Sequence, residues 1–212
     1  MRAIIQIVLG ILIVVLAYFV YNSIMTPIRF NKLKDVRELA TIERLIDIRE
    51  AQKAYKDVNL KYVSDFDSLI FFLKNDSFSI TKAIGTIPES LIDSLGTLKK
   101  AKNAALRMGI IRRETTKIPV MDSLFGVDFA IDSLRIVPFT EGIEFEMEAG
   151  EYVTPSNLTV KVLVVSVLYE DLLYGLDPQL IVNYADERNV ITKYKGLKLG
   201  SLIEGSLSGN WE

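Results

Sequence analysis

From Ala3 to Met25 the chain reads AIIQIVLGILIVVLAYFVYNSIM, 23 consecutive positions without a charged side chain. At about 1.5 Å of rise per residue, an α-helix of that length is roughly 35 Å long, enough to cross a hydrocarbon layer of about 30 Å with some tilt. A core helix of a soluble protein normally keeps a polar stripe, whereas the polar residues here are Gln6, Asn22 and Ser23. A cleavable signal peptide requires an apolar stretch of about 7 to 15 residues followed by a small-x-small site. Neither Ala17-Tyr18-Phe19 nor Asn22-Ser23-Ile24 supplies one. The expectation is an uncleaved signal anchor over residues 1–25, a single transmembrane helix with Tyr18 and Tyr21 in an interfacial aromatic belt.

The remaining chain after the anchor, about 185 residues, has the size of one domain or of a domain on a stalk. The protein carries 25 basic and 27 acidic side chains, a net charge of −2, so no global field calls for nucleic acid. It contains no Cys and no His. Disulfides, thiolate metal sites and thiol nucleophiles are thereby removed, together with the commonest general base and metal ligand. An enzyme built on this chain would have to use paired carboxylates, a Lys or Tyr base, or an all-oxygen metal site. No such motif stands out, so the sequence nominates no catalytic residue, no cofactor and no metal. A carboxylate-based or glycan-handling enzyme is kept as one alternative. Another arises from orientation: only Arg2 precedes the anchor, while Arg29, Lys32, Lys34, Arg37 and Arg44 come after it. Basic residues prefer the cytoplasmic side, although the rule weakens before a long domain, and a cytoplasmic-facing adaptor is the reading that this count favours.

Thr26-Pro27 has the form of a helix start, Thr as N-cap and Pro in the first turn. From Ile28 to Lys56 there is neither Gly nor Pro, and Leu33, Val36, Leu39, Ala40, Ile42, Leu45, Ile46, Ile48, Ala51, Ala54 and Tyr55 recur mostly three or four apart. This predicts an amphipathic stalk helix over 26–58 whose stripe packs on the protein's own sheet or on a coiled-coil partner. Leu33, Val36 and Leu39 lie within about 20 Å of the anchor by helical rise, far from a domain beginning near Tyr55. They are expected to stay uncovered and to form a partner surface.

An N-terminal apolar helix continued into an amphipathic one, followed by Ala51-Gln52-Lys53-Ala54-Tyr55-Lys56-Asp57-Val58-Asn59-Leu60-Lys61-Tyr62 and a short helix at 68–73, resembles the stalk of type IV pilins and of the major pseudopilins of type II secretion. The similarity covers roughly residues 3–75, and its motif is a loose A-x-x-x-Y-x-x-D-x-x-x-Y. Two features of that class are missing: the prepilin peptidase site, and the Glu five positions into the mature helix, where Gly10 is followed instead by Val15. The resemblance implies an export-side domain in the periplasm, anchored in a bacterial inner membrane, within a cell-envelope assembly. Its implied partners are membrane lipid and either further copies of the chain or other envelope proteins.

Residues 59–212 are expected to form an α+β domain with a small helical part and an antiparallel sheet. Ser64-Asp65-Phe66-Asp67 reads as a helix start, with a calcium-binding D-x-D loop as the alternative. A strand over 78–84 precedes a helix from Pro88 to Arg107 with a break at Gly96. Lys99, Lys100, Lys102 and Arg107 crowd its last turns, as a solvated face or a phosphate or headgroup site. Ile143 to Glu148 alternates apolar and acidic residues, a strand with one wet face, and Leu158 to Tyr169 is apolar enough to be the central strand. Asp177-Pro178 caps a helix to about Asp186, Gly196 to Ile203 is a last strand, and Trp211 near the terminus is a docking candidate. Asp-Ser-Leu occurs four times, around Ser68, Ser94, Ser123 and Ser133. Turn and helix-start preference accounts for such triplets. They are also similar to the O-glycan acceptor motif of exported Bacteroidetes proteins, which implies modification of at least one of those serines and an envelope protein of that group.

An uncleaved anchor has a direct consequence: the protein should leave membranes only with detergent, and its intact mass should include the N-terminal segment. A mature chain beginning near Asn22 would refute this.

Overall fold

The computed structural model describes residues 2–126 and 129–212, with side chains described outside 2–4, 79–83, 113 and 115. Met1, the first residue of the expected anchor, lies outside the described residues. The architecture is α+β, with a long N-terminal apolar helix, further helices and antiparallel sheets. Two compact units are present, one of residues 1–69 and 132–212, the other of 70–131.

Helix α1 (Arg2–Asn59) is continuous for 58 residues, about 87 Å at helical rise. The expected break at Thr26-Pro27 is absent, and Pro27 lies inside the helix. Proline deprives Ser23 of its hydrogen-bond donor, but the Thr26 hydroxyl donates to the Asn22 carbonyl at 2.8 Å, so Thr26 is a helical residue that bonds backwards and not a cap. From Ile5 to Ile24 the side chains are exposed throughout, and this is a helix long and apolar enough to cross a membrane.

Further along, α1 buries one face. Leu45, Ile48 and Ala51 are fully buried, and α1 packs on β5 and α6. The sheet has the order β3 (Glu146–Val153), β4 (Thr159–Leu168), β5 (Gly196–Ser201), all antiparallel. The central strand is the one expected: Leu163 and Val165 are fully buried on one face, while Val162 and Val167 are buried too. Glu144, Glu146 and Glu148 face solvent while Phe145 is buried, as the alternation requires, though β3 runs on to Val153 instead of ending before Glu151. The outer edge of β5 is covered by the chain's own tail: Gly200 N–H donates to Ser208 O and Asn210 N–H to Lys198 O, both at 2.9 Å. A free strand edge invites foreign pairing, and here it is closed.

Gln52 holds the chain where it turns back after α1. Its side chain is fully buried, its amide donates to Val63 O at 2.7 Å, and its carbonyl accepts from Val63 N–H at 3.1 Å. The side chain thus imitates a strand partner for the chain returning after Leu60, which has φ of 60°. Helix α2 (Phe66–Asn75) then starts on Asp65, whose carboxylate accepts from Ser68 N–H at 2.8 Å. That bond holds the Asp65 carboxyl below its usual range. Asp67 pairs with Arg135 at 2.8 Å, so the two acids serve a cap and an ion pair.

In the smaller unit, β1 (Ser77–Ile84) pairs antiparallel with β2 (Arg112–Pro119). Between them lie α3 (Glu89–Leu95) and α4 (Leu98–Arg107), separated at Gly96, which has φ of 69°. Ala101 and Ala105 are the buried residues of α4, so its lysines point outward. A Cβ on Gly85 would lie 2.5 Å from Ile110 O, and only glycine permits that approach at the ribbon's end. Strand β2, RRETTKIP, lacks the apolar alternation that would have revealed it. Helix α5 (Val120–Leu124) comes directly after it.

Val165→Asp places a charge on the fully buried central strand and should abolish cooperative unfolding, the penalty of several kcal/mol being comparable to total stability. Glu146→Gln, on the wet face, should leave the thermal melt nearly unchanged. The reverse ranking would refute the assignment of the two faces.

Candidate interaction surface on helix α1

Between Phe30 and Leu45, α1 has two faces with different fates. The inner face is set by Phe30, Lys34, Arg37, Glu38, Thr41 and Leu45, and is half-buried or buried along its length. It meets α6 (Tyr169–Leu172) and α7 (Pro178–Thr192). Helix α7 starts on Asp177, whose carboxylate accepts from Gln179 and Leu180 N–H, and runs past the expected end near Asp186 until Lys193 adopts φ of 58°.

Glu38 is the centre of this contact. The Tyr169 hydroxyl donates to Glu38 Oε1 at 2.9 Å, and the Tyr184 hydroxyl lies 3.0 Å from both carboxylate oxygens. The two rings meet edge to face at 4.8 Å, and Lys34 Nζ sits 4.4 Å above the Tyr184 ring. Burial, then the Glu38 charge and its hydrogen bond, push the Tyr169 hydroxyl up to about 12. Tyr184 is raised as well, by burial first and then by Tyr169 and Glu38. Immediately before Glu38, Arg37 donates to the carbonyls of Tyr174 at 2.8 Å and Leu172 at 3.3 Å, tying the α6–α7 corner to α1. A neutral phenol donating to a carboxylate is a strong, charge-assisted bond, and both hydroxyls satisfy their donor capacity on one acceptor.

The outer face stays open. Leu33, Val36 and Leu39 are 49%, 50% and 63% exposed. The domain does reach back to this part of α1, contrary to what chain distance suggests, but it covers only the inner face. Helical spacing keeps Val36 and Leu39 on the far side, while Leu33 stands at its margin and also lines a cleft with Leu176.

The remaining expected residues lie elsewhere. Trp211 is half-buried, with its ring against Gly209: a Cβ there would fall 2.3 Å from it. Next to it, Glu212 pairs with Arg49 of α1 at 2.7 Å, which lowers the Glu212 carboxyl below its ordinary range. The tail is thus fastened to its own unit. Ser68, Ser94 and Ser123 are exposed, in α2, α3 and α5. Ser133 is half-buried, and its hydroxyl accepts from Arg44 at 2.9 Å. Among the described residues no group of three or more Asp and Glu is arranged to hold a metal ion. Sequence reasoning missed the Glu38–Tyr169–Tyr184 cluster, since Glu38 reads as one more charge on a solvated face and its partners come more than a hundred residues later.

Comparison of the chain with models of known protein families, with curated proteins and with solved structures finds no match.

The phenols make stability depend on alkaline pH. Their folded values are raised above the unfolded value of 10, so the unfolded chain gives up its protons first. The stabilisation is complete below pH 10 and is lost as pH rises through about 12 for Tyr169. The detergent-solubilised chain should therefore lose melting temperature across that window, and the Tyr169→Phe, Tyr184→Phe double variant should lose less. Equal slopes would show that the cluster does not bear on stability.

Proposed function

We propose that this chain is a non-enzymatic component of a bacterial cell-envelope assembly, held in the inner membrane by α1 as a single-pass anchor, with its folded units in the periplasm. The outer face of α1 is its partner surface. The observation that carries this reading is the half-exposed row of Leu33, Val36 and Leu39 on a helix whose inner face is fixed by part-buried hydrogen bonds. Apolar side chains left in a row outside the lipid favour association, with a second copy or with another envelope protein. A rigid apolar helix continued into a packed stalk supports it further, by its likeness to the pilin arrangement. The likeness extends to an anchored stalk and does not by itself imply a filament, since Val15 stands where the Glu of that class would follow Gly10.

The chain lacks Cys, so single cysteines test the surface cleanly. Val36→Cys should give a specific disulfide-linked product in membranes, whereas Lys53→Cys, also exposed on α1 but outside the row, should not. Equal or absent crosslinking at both positions would remove the assembly reading. A reporter fused after Glu212 and active only in the periplasm decides the orientation; activity of a cytoplasm-specific reporter would instead establish the adaptor topology.

A further inference from the structure

Where α1 leaves its apolar segment, α7 begins beside it, and an open groove of about 490 Å³ runs between Phe19, Asn22 and Thr26 of α1 and Gln179 and Leu180 of α7. A second cleft of about 230 Å³ continues from Thr26 to Arg29. From Phe19 to Arg29 the pair covers roughly 15 Å of helical rise, comparable to the headgroup layer together with the adjoining end of the hydrocarbon. Its walls mix apolar and polar groups along that length. Phe19 and Leu180 stand at one end, Asn22, Thr26 and Gln179 offer amides and a hydroxyl in the middle, and at the other end the Arg29 guanidinium stands beside Phe30, Leu33 and Leu176. Among the described residues Arg29 is exposed and has no ion-pair partner, and neither has the neighbouring Lys32.

The walls are fixed before anything binds. Arg37 ties the α6–α7 corner to α1, and Glu38 holds α7 through Tyr184. Asp177, which both clefts share, has its carboxylate turned to the first N–H groups of α7. An anionic group is therefore better placed at Arg29 than at the helix start.

We propose that the cleft seats one anionic phospholipid of the bilayer, with its acyl chain beside Phe19 and Leu180, its ester region among Asn22, Thr26 and Gln179, and its phosphate on Arg29. This rests on the membrane-anchor reading, and the occupant is chosen by the cleft's continuity with the apolar segment, its amphipathic walls and its free cation. The site fastens the folded unit to the bilayer surface and sets the direction in which the outer face of α1 points.

The full chain carrying Trp211→Phe, reconstituted in nanodiscs, provides the test. Single tryptophans are placed by Phe19→Trp, Leu180→Trp or Val190→Trp, and the lipid is phosphatidylcholine or phosphatidylglycerol brominated near the headgroup end of one acyl chain. Phe19→Trp should be quenched in both lipids and Val190→Trp, exposed near the far end of α7, in neither. Leu180→Trp should be quenched more in discs mixing plain phosphatidylcholine with a minority of brominated phosphatidylglycerol than in the converse mixture. The expected preference is roughly fivefold, the value of about 1 kcal/mol for one cation at an anionic surface. Arg29→Gln should abolish that preference. Absence of quenching at Leu180, equal quenching in the two mixtures, or quenching at Val190 would overturn the lipid site while the Phe19 signal keeps the anchor standing. Loss of the Phe19 signal would overturn the anchor itself. Native mass spectrometry of the otherwise unchanged chain in detergent supplies a check that does not depend on the tryptophan variants: one phosphatidylglycerol should stay bound and should be lost in Arg29→Gln, and retention by both proteins would refute the assignment.

Discussion

The inner face of α1 is the surface on which the larger unit is assembled. Leu45, Ile48 and Ala51 are withdrawn completely from solvent, and apolar burial of this kind yields about 25 cal/mol per Å² removed from water. A helix gains little from backbone propensity alone, so the packed face sets the stability. Strand β5 and helix α6 pack against this face, the neighbouring central strand β4 buries Leu163 and Val165, and the tail closes β5 from the outside. These contacts join the first quarter of the chain to its last third.

Polar groups determine the position of that packing. Apolar faces slide at little cost, whereas a buried hydrogen bond has one geometry and a penalty of about 1–3 kcal/mol when unmade. Gln52 pairs with both backbone groups of Val63 at one end of the packed face, and Glu38 gathers two phenols near the other. Between these two points the rotation of α1 about its own axis is settled. Val36 and Leu39 consequently face outward, with Leu33 half-exposed at the margin of the same side. The open row and the cluster beneath it are two consequences of one helical period.

Much of the local structure was legible in the residues. The uncharged run from Ala3 to Met25 determined a long apolar helix, and the three-to-four spacing after Ile28 determined a stalk with a buried stripe. Alternation at 143–148, the valine-rich 158–169 and the Asp177-Pro178 start each located an element, because one- and two-turn patterns reflect which face is wet. Where that signal was weak the reading failed. Thr26-Pro27 carries the local chemistry of a helix start, yet the segments on either side are strongly helical and the lost hydrogen bond is a small part of a 58-residue element. Strand β2 is polar along most of its length and is recognisable only through its partner β1.

By itself, then, the sequence determined the length, the apolar character and the periodicity of α1, the three main strands, and the absence of thiol and imidazole chemistry, since each depends on residue type or on neighbours a few positions apart. Tertiary structure decided the rest: that the chain folds back to cover the inner face of α1 beside its apolar segment, that Glu38 meets Tyr169 and Tyr184, that the tail with Trp211 is fastened to Arg49 through Glu212, and that a cleft opens between Phe19 and Leu180. Those contacts join residues more than a hundred positions apart. No local pattern records them, because the free energy that selects them arises only when the whole inner face of α1 is buried at once.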